Sequence, residues 1–98
     1  MKILAIEKEI KCRKWENPDS ILQQEAKQVY QLYLSDSLRE IYFTESKNAV
    51  LILESENKIA AEKLLNSLPL VKENMIRFDV MELRPYTGYE RLIENNCD

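Results

Sequence analysis

Apolar residues along the chain follow two periods. Arg39-Glu40-Ile41-Tyr42-Phe43-Thr44 and Ala49-Val50-Leu51-Ile52-Leu53-Glu54 are rich in β-branched and aromatic residues and are separated by the polar Glu45-Ser46-Lys47-Asn48, a pattern that predicts a β-hairpin. The second run is apolar at five successive positions, which is expected of a strand covered on both faces. Ile3-Leu4-Ala5-Ile6, within Met1 to Lys8, predicts a first strand of the same kind. In Met75 to Arg84, Ile76, Phe78 and Val80 alternate with Arg77 and Asp79 before Met81 and Leu83, so this stretch reads as a fourth strand.

The other period is helical. Pro18-Asp19-Ser20 is a start signal, with Ser20 and Gln23 at capping-box spacing. Leu22, Ala26, Val29 and Tyr33 then recur on one face, widened by Tyr30 and Leu34, and predict an amphipathic helix from Ser20 to about Ser35. Ser35-Asp36-Ser37 ends it. Glu56-Asn57 offers a second N-cap, and Ala60, Ala61, Leu64, Leu65 and Leu68 form the next stripe, closed by Pro69. Pro85-Tyr86-Thr87-Gly88-Tyr89 makes a turn around the only glycine, and the chain continues through Arg91-Leu92-Ile93.

The resulting order, strand–helix–strand twice over, is the ferredoxin-like βαββαβ arrangement: an α+β fold with a four-stranded antiparallel sheet and two helices on one face, in a single domain spanning 1–98. The other sheet face is then bare in one chain. Because the Ala49 to Leu53 strand is apolar on both faces, we expect a homodimer formed sheet to sheet, closing a barrel-like core, with higher oligomers open.

Composition narrows the function. A chain of 98 residues buries only about 60–65% of its unfolded surface, so burial against a partner contributes to its stability. The net charge of -3, with basic residues clustered only at Lys8, Lys11, Arg13 and Lys14, argues against nucleic acid as a partner. No membrane-length apolar run or hydrophobic leader is evident, so the expected location is the cytoplasm, with Cys12 and Cys97 as reduced, inert thiols. The absence of histidine removes the commonest metal ligand and every nucleophile–histidine relay. No cofactor or metal is expected. The lone Trp15, in the charged stretch Glu9 to Pro18, reads first as a loop aromatic folded back on the core and second as a lid or interface anchor.

Leu64-Leu65-Asn66-Ser67-Leu68-Pro69-Leu70 leading into Ile76-Arg77-Phe78-Asp79-Val80 resembles the second half of muconolactone isomerase and its relatives among dimeric α+β barrel proteins. Arg39 to Phe43 and the closing Leu83-Arg84-Pro85-Tyr86-Thr87-Gly88 look like a muconolactone-isomerase-like group of small bacterial proteins. The resemblance implies the dimeric barrel fold and a cofactor-independent isomerase or lyase acting on a lactone or related carboxylate. Such a reaction moves a proton next to a carbonyl, and needs a base and a donor facing the developing enolate.

Residue chemistry and strand position make Glu40 and Glu54 the candidate bases, Tyr42 the candidate donor, and Arg39 or Arg77 the anchor for a substrate carboxylate. Hairpin register decides which of these share a face. If Thr44 pairs with Ala49, Arg39 lies opposite Glu54 as a cross-strand ion pair and Glu40 and Tyr42 occupy the other face. A one-residue slip instead opposes Glu40 and Glu54, two carboxylates in a mostly apolar setting, where one pKa rises. The even-length loop favours the first register. Each candidate also has a structural role open to it. Arg77 and Asp79 suit a polar strand edge, Glu40 a solvated or intersubunit rim, and Tyr86 and Tyr89 packing on a partner subunit. The alternative to an enzyme is a non-catalytic dimeric module that binds a small ligand or serves a larger assembly.

Overall fold

A computed structural model describes residues 1–10 and 18–94. Their elements run β1 (Lys2–Glu9), α1 (Pro18–Leu34), β2 (Leu38–Phe43), β3 (Ala49–Glu54), α2 (Lys58–Asn66), α3 (Pro69–Lys72), β4 (Ile76–Leu83) and α4 (Glu90–Glu94). The strands form one antiparallel-paired sheet in the order β2-β3-β1-β4, the ferredoxin-like topology. Trp15, Cys12, Cys97 and most of the basic cluster fall outside the described residues.

The two sheet faces differ in what covers them. Ile3 and Ala5 of β1 pair with Leu53 and Leu51 of β3, and all four are fully buried against Leu32 of α1 and Ala61 and Leu65 of α2. Both main helices therefore pack on one face, as right-handed crossovers require. Leu4 and Ile6, paired with Ile52 and Val50, point to the opposite face and are only half-buried. In the isolated chain the five-residue apolar run of β3 is thus covered on one side alone.

Helix ends follow from local chemistry. Asn57 caps α2, its side chain accepting from the Ala60 N–H at 2.8 Å. Leu68-Pro69 stops α2 as expected, but Pro69 also opens the short α3, a turn the sequence reading did not separate. Helix α1 ends in a Schellman motif: the Ser37 N–H donates to the Leu32 carbonyl and the Asp36 N–H to that of Tyr33, with Asp36 left-handed at φ 65°. Helix α3 ends the same way on Asn74, φ 56°, whose neighbour Met75 donates to the Leu70 carbonyl. At its other end α1 begins at Pro18, so Ser20 lies inside the helix and the expected capping box does not form there.

The inward face of α1 is also rotated from the expected one. Leu32 is buried, and Ile21, Glu25, Gln28 and Val29 are partly buried, whereas Leu22, Tyr30, Tyr33 and Leu34 stay exposed. Counting hydrophobic positions misplaced the stripe because two polar residues belong to the true face. Glu25 and Gln28 are tolerated there because each finds a partner, the Leu70 N–H at 3.0 Å for Glu25 and Ser67 Oγ at 3.5 Å for Gln28.

The hairpin register differs from both expected ones. Phe43 pairs with Ala49, Tyr42 with Val50, Ile41 with Leu51 and Glu40 with Ile52, and a bulge around Arg39 then brings Leu38 opposite Leu53. The cause is the loop. Thr44 N–H donates to the Asn48 carbonyl, leaving a three-residue turn, Glu45 to Lys47, closed by Lys47 in the left-handed region at φ 64°. Arg39 therefore does not oppose Glu54, and Glu40 does not either.

A candidate small-ligand cavity beneath the first helix

Side chains from β1, α1, the hairpin and β4 enclose a cavity of about 370 Å³ between the N-terminal half of α1 and the helix-covered face of the sheet. This is at the small end of the range for ligand sites. Its walls are apolar, with Val29 above, Leu51, Ile76 and Phe78 below, and Ile41 and Phe43 at the β2 edge. Phe43 remains 74% exposed although it faces the helix side, so the cavity opens past this edge strand.

Two carboxylates line it, Glu7 from β1 and Glu25 from α1. Alternation along β1 sends Ile3, Ala5 and Glu7 to one face, so Glu7 continues the buried row into the cavity beneath α1. Its Oε1 accepts from the Ala49 N–H at 2.9 Å, and its carbonyl accepts from Asn48 Nδ2 at 3.1 Å, fastening β1 to the start of β3. Glu25 Oε1 accepts from the Leu70 N–H at 3.0 Å. Burial pushes the Glu25 carboxyl above the ordinary carboxylate value, the Leu70 N–H opposes this, and the nearby Glu7 charge adds to the rise. Neither carboxylate has an ion-pair partner among the described residues. Lys47, from the hairpin turn, contributes to the lining at the exposed end.

The residues singled out from the sequence lie elsewhere. Glu40, Tyr42, Glu54 and Arg77 all project from the uncovered face of the sheet, and none lines the cavity. Tyr42 Oη donates to Glu40 Oε1 at 2.8 Å, and this bond to a carboxylate raises the tyrosine pKa. Glu54 instead accepts from the N-terminal ammonium, which pulls its pKa down, with Arg39 and Lys2 adding smaller contributions. Arg39 Nε donates to the Asp36 carbonyl at 3.1 Å, and Arg77 meets Asp79 at 3.4 Å. The cross-strand Arg39–Glu54 ion pair is absent because the bulge turns Arg39 out of register.

The structure thus brings together a donor and a carboxylate, Tyr42 and Glu40, but on an open face rather than around an enclosed space. Glu7 and Glu25 were missed. Their signal was a lone carboxyl continuing an apolar series: Ile3-Ala5-Glu7 at period two, and Ile21-Glu25-Val29 at a spacing of four.

Fold and site define a ferredoxin-like α+β domain with a carboxylate-bearing apolar cavity under its first helix. Among known proteins, no family model matches the chain and no curated protein is significantly similar to it. Among the described residues no cluster of three or more acidic or thiol side chains is placed to hold a metal, and no helix is long and apolar enough to cross a membrane.

Proposed function

We propose that this chain is a cytoplasmic homodimer that binds a small, largely apolar carbonyl compound in the cavity beneath α1 and acts on it as a cofactor-independent isomerase or lyase. The observation that carries the reading is Glu25, a half-buried carboxyl in apolar surroundings whose proton is held more tightly than usual. A carboxyl whose proton is held more tightly than usual is a better base than an ordinary one and can return the proton it takes, as the shift of a proton next to a carbonyl requires. The resemblance to muconolactone isomerase supports the reaction class, and a lactone is the first substrate to assay. The acid–base role moves from Glu40 and Glu54 to Glu25, with Lys47 the nearby cation at the cavity mouth.

Dimerisation is supported by the uncovered sheet face. Leu4, Ile6, Val50, Ile52, Met81 and Leu83 share it, a contiguous group of partly exposed apolar side chains of the kind that marks an interaction surface. In this reading Glu40, Tyr42, Glu54 and Arg77 belong to the subunit interface and its rim rather than to chemistry.

The test is incubation with muconolactone in D2O, followed by proton NMR for exchange and isomerisation. Turnover by the wild type and by Glu40→Gln, lost in Glu25→Gln, is the expected result. Turnover that survives Glu25→Gln unchanged would remove Glu25 from the mechanism. Absence of turnover together with ligand-induced shifts at cavity residues would leave a binding module, the alternative that the carboxylates' bonds to backbone amides favour.

A further inference from the structure

The stretch that follows β4 carries apolar surface that its own fold does not cover. From Leu83 to Ile93 every residue but Gly88 is exposed, and Tyr86, Tyr89, Leu92 and Ile93 are 69–73% exposed. The molecule is correspondingly long: its radius of gyration is 17.2 Å, against roughly 13 Å for a compact domain of this size, and its axes measure 66, 28 and 22 Å. Tyr86 and Tyr89 meet edge to face, ring centres 4.9 Å apart, beside Gly88, where a side-chain carbon would collide with Tyr86 Oη. This knuckle gives the arm a shape before it docks. Helix α4, with five residues, is far shorter than a helix that persists without a surface to pack on.

A surface of matching character flanks the cavity mouth. Leu22, Tyr30 and Tyr33 on α1 and Ile41 and Phe43 on β2 are 43–74% exposed and line the free edge of the sheet at β2. The arm of the same chain leads away from this strip. β4 and β2 are opposite edges of the sheet, roughly 14 Å apart. The arm leaves at Leu83, level with Lys2 and Glu54, whereas the mouth lies by Phe43, Ala49 and Glu7 at the other end of the strands. Met81 and Leu83, the last apolar residues before the arm, lie on the uncovered sheet face, so in a sheet-to-sheet dimer the arm begins at the interface and emerges beside the second copy.

We propose that residues 84–94 of each copy cross to the other and seat Tyr86, Tyr89, Leu92 and Ile93 on its α1–β2 strip, closing the mouth of its cavity. The inference rests on the homodimer and ligand cavity proposed above, and makes each ligand site a shared one. An arm of this length reaches roughly 25–30 Å with its first half extended. Exchange of an identical element covers both exposed surfaces twice in a closed two-fold pair, leaving neither free to recruit a third chain. It also brings a phenolic hydroxyl to a cavity whose described lining holds none, as a donor facing a developing enolate.

The test uses full-length chains. A nitroxide is attached at Glu90→Cys, with Cys12→Ser and Cys97→Ser, on a chain without isotope. This chain is refolded with 15N-labelled wild type, and mixed dimers are isolated through a tag on one chain only. The amides of Leu22, Tyr30, Ile41 and Phe43 in the 15N chain are expected to lose most of their NMR intensity and to regain it when the nitroxide is reduced, while those of Ala61 and Leu65 on α2 keep theirs. A dimer in which these strip amides keep their intensity overturns the arm contact and leaves the homodimer standing. A second sample carries nitroxide and 15N on one chain, diluted into unlabelled wild type. Loss at the strip in this sample alone overturns the exchange, because the arm then closes on its own cavity. A monomer by light scattering removes the homodimer and the exchange with it.

Discussion

The Leu70 N–H donates to Glu25 Oε1 at 3.0 Å, joining the middle of α1 to the first turn of α3 across 45 residues of sequence. Leu70 is buried, so this N–H has no easy recourse to water. The bond therefore separates two substitutions. Glu25→Ala leaves a buried donor unpaired and is expected to destabilise the chain by about 1–2 kcal/mol. Glu25→Gln keeps the acceptor, removes the burial of a charge and the repulsion by Glu7, and is expected to match or exceed wild-type stability. Urea unfolding of the two variants checks the pair, and equal losses in both would mean that the carboxylate charge itself holds α1 in place.

The same group gives the chain a pH dependence of definite sign. Glu25 binds its proton more tightly folded than unfolded, because burial raises its pKa above the ordinary 4.5. The stability this contributes is present below the ordinary value and is lost as pH rises through the raised one. Glu54 acts in the opposite sense, its lowered pKa adding stability that disappears in acid. Subtracting the profile of Glu25→Gln from that of the wild type isolates the first effect. The difference is expected to favour the wild type increasingly as pH falls below the raised value, and a flat difference from pH 4 to pH 8 would contradict it.

Asn57 is a local test of how α2 starts. Its side chain satisfies the Ala60 N–H at 2.8 Å, one of the donors a helix leaves open at its first turn. Asn57→Ala is expected to lower stability by about 1 kcal/mol, and Asn57→Ser to restore most of it, in thermal or urea unfolding. Loss in both variants would point to a role for Asn57 beyond the cap.

How much of this was readable from the chain depends on the range of the interaction. The fourth strand, the Asn57 cap and the stop at Leu68-Pro69 follow from residues close in sequence, and the order of elements led directly to the sheet topology. The hairpin register did not, because it turns on Lys47 adopting a left-handed conformation that no glycine announces and on a bulge at Arg39. The helix face was misread for a related reason. Hydrophobicity favours the side bearing Leu22 and Tyr33, and only the distant amide of Leu70 explains why Glu25 can turn inward. The cavity inherits this difficulty, since its carboxylates come from elements whose contact is set by tertiary packing.

Neighbouring residues on β3 provide the sharpest test of the dimer. Leu53 is fully buried beneath the helices, while Ile52, one position earlier, projects from the uncovered face between Leu4 and Glu40. Removing Leu53 side-chain volume acts on the fold: Leu53→Ala is expected to cost about 2–5 kcal/mol. Placing a charge at Ile52 acts on association, because in a monomer that side chain meets water and in a sheet-to-sheet dimer it meets the partner's apolar face. Light scattering at micromolar concentration is expected to return twice the chain mass for the wild type and the single chain mass for Ile52→Lys, with circular dichroism unchanged. A wild-type monomer would refute the dimer outright. A dimer that survives Ile52→Lys would move the interface off this face and leave Glu40 and Tyr42 open to solvent.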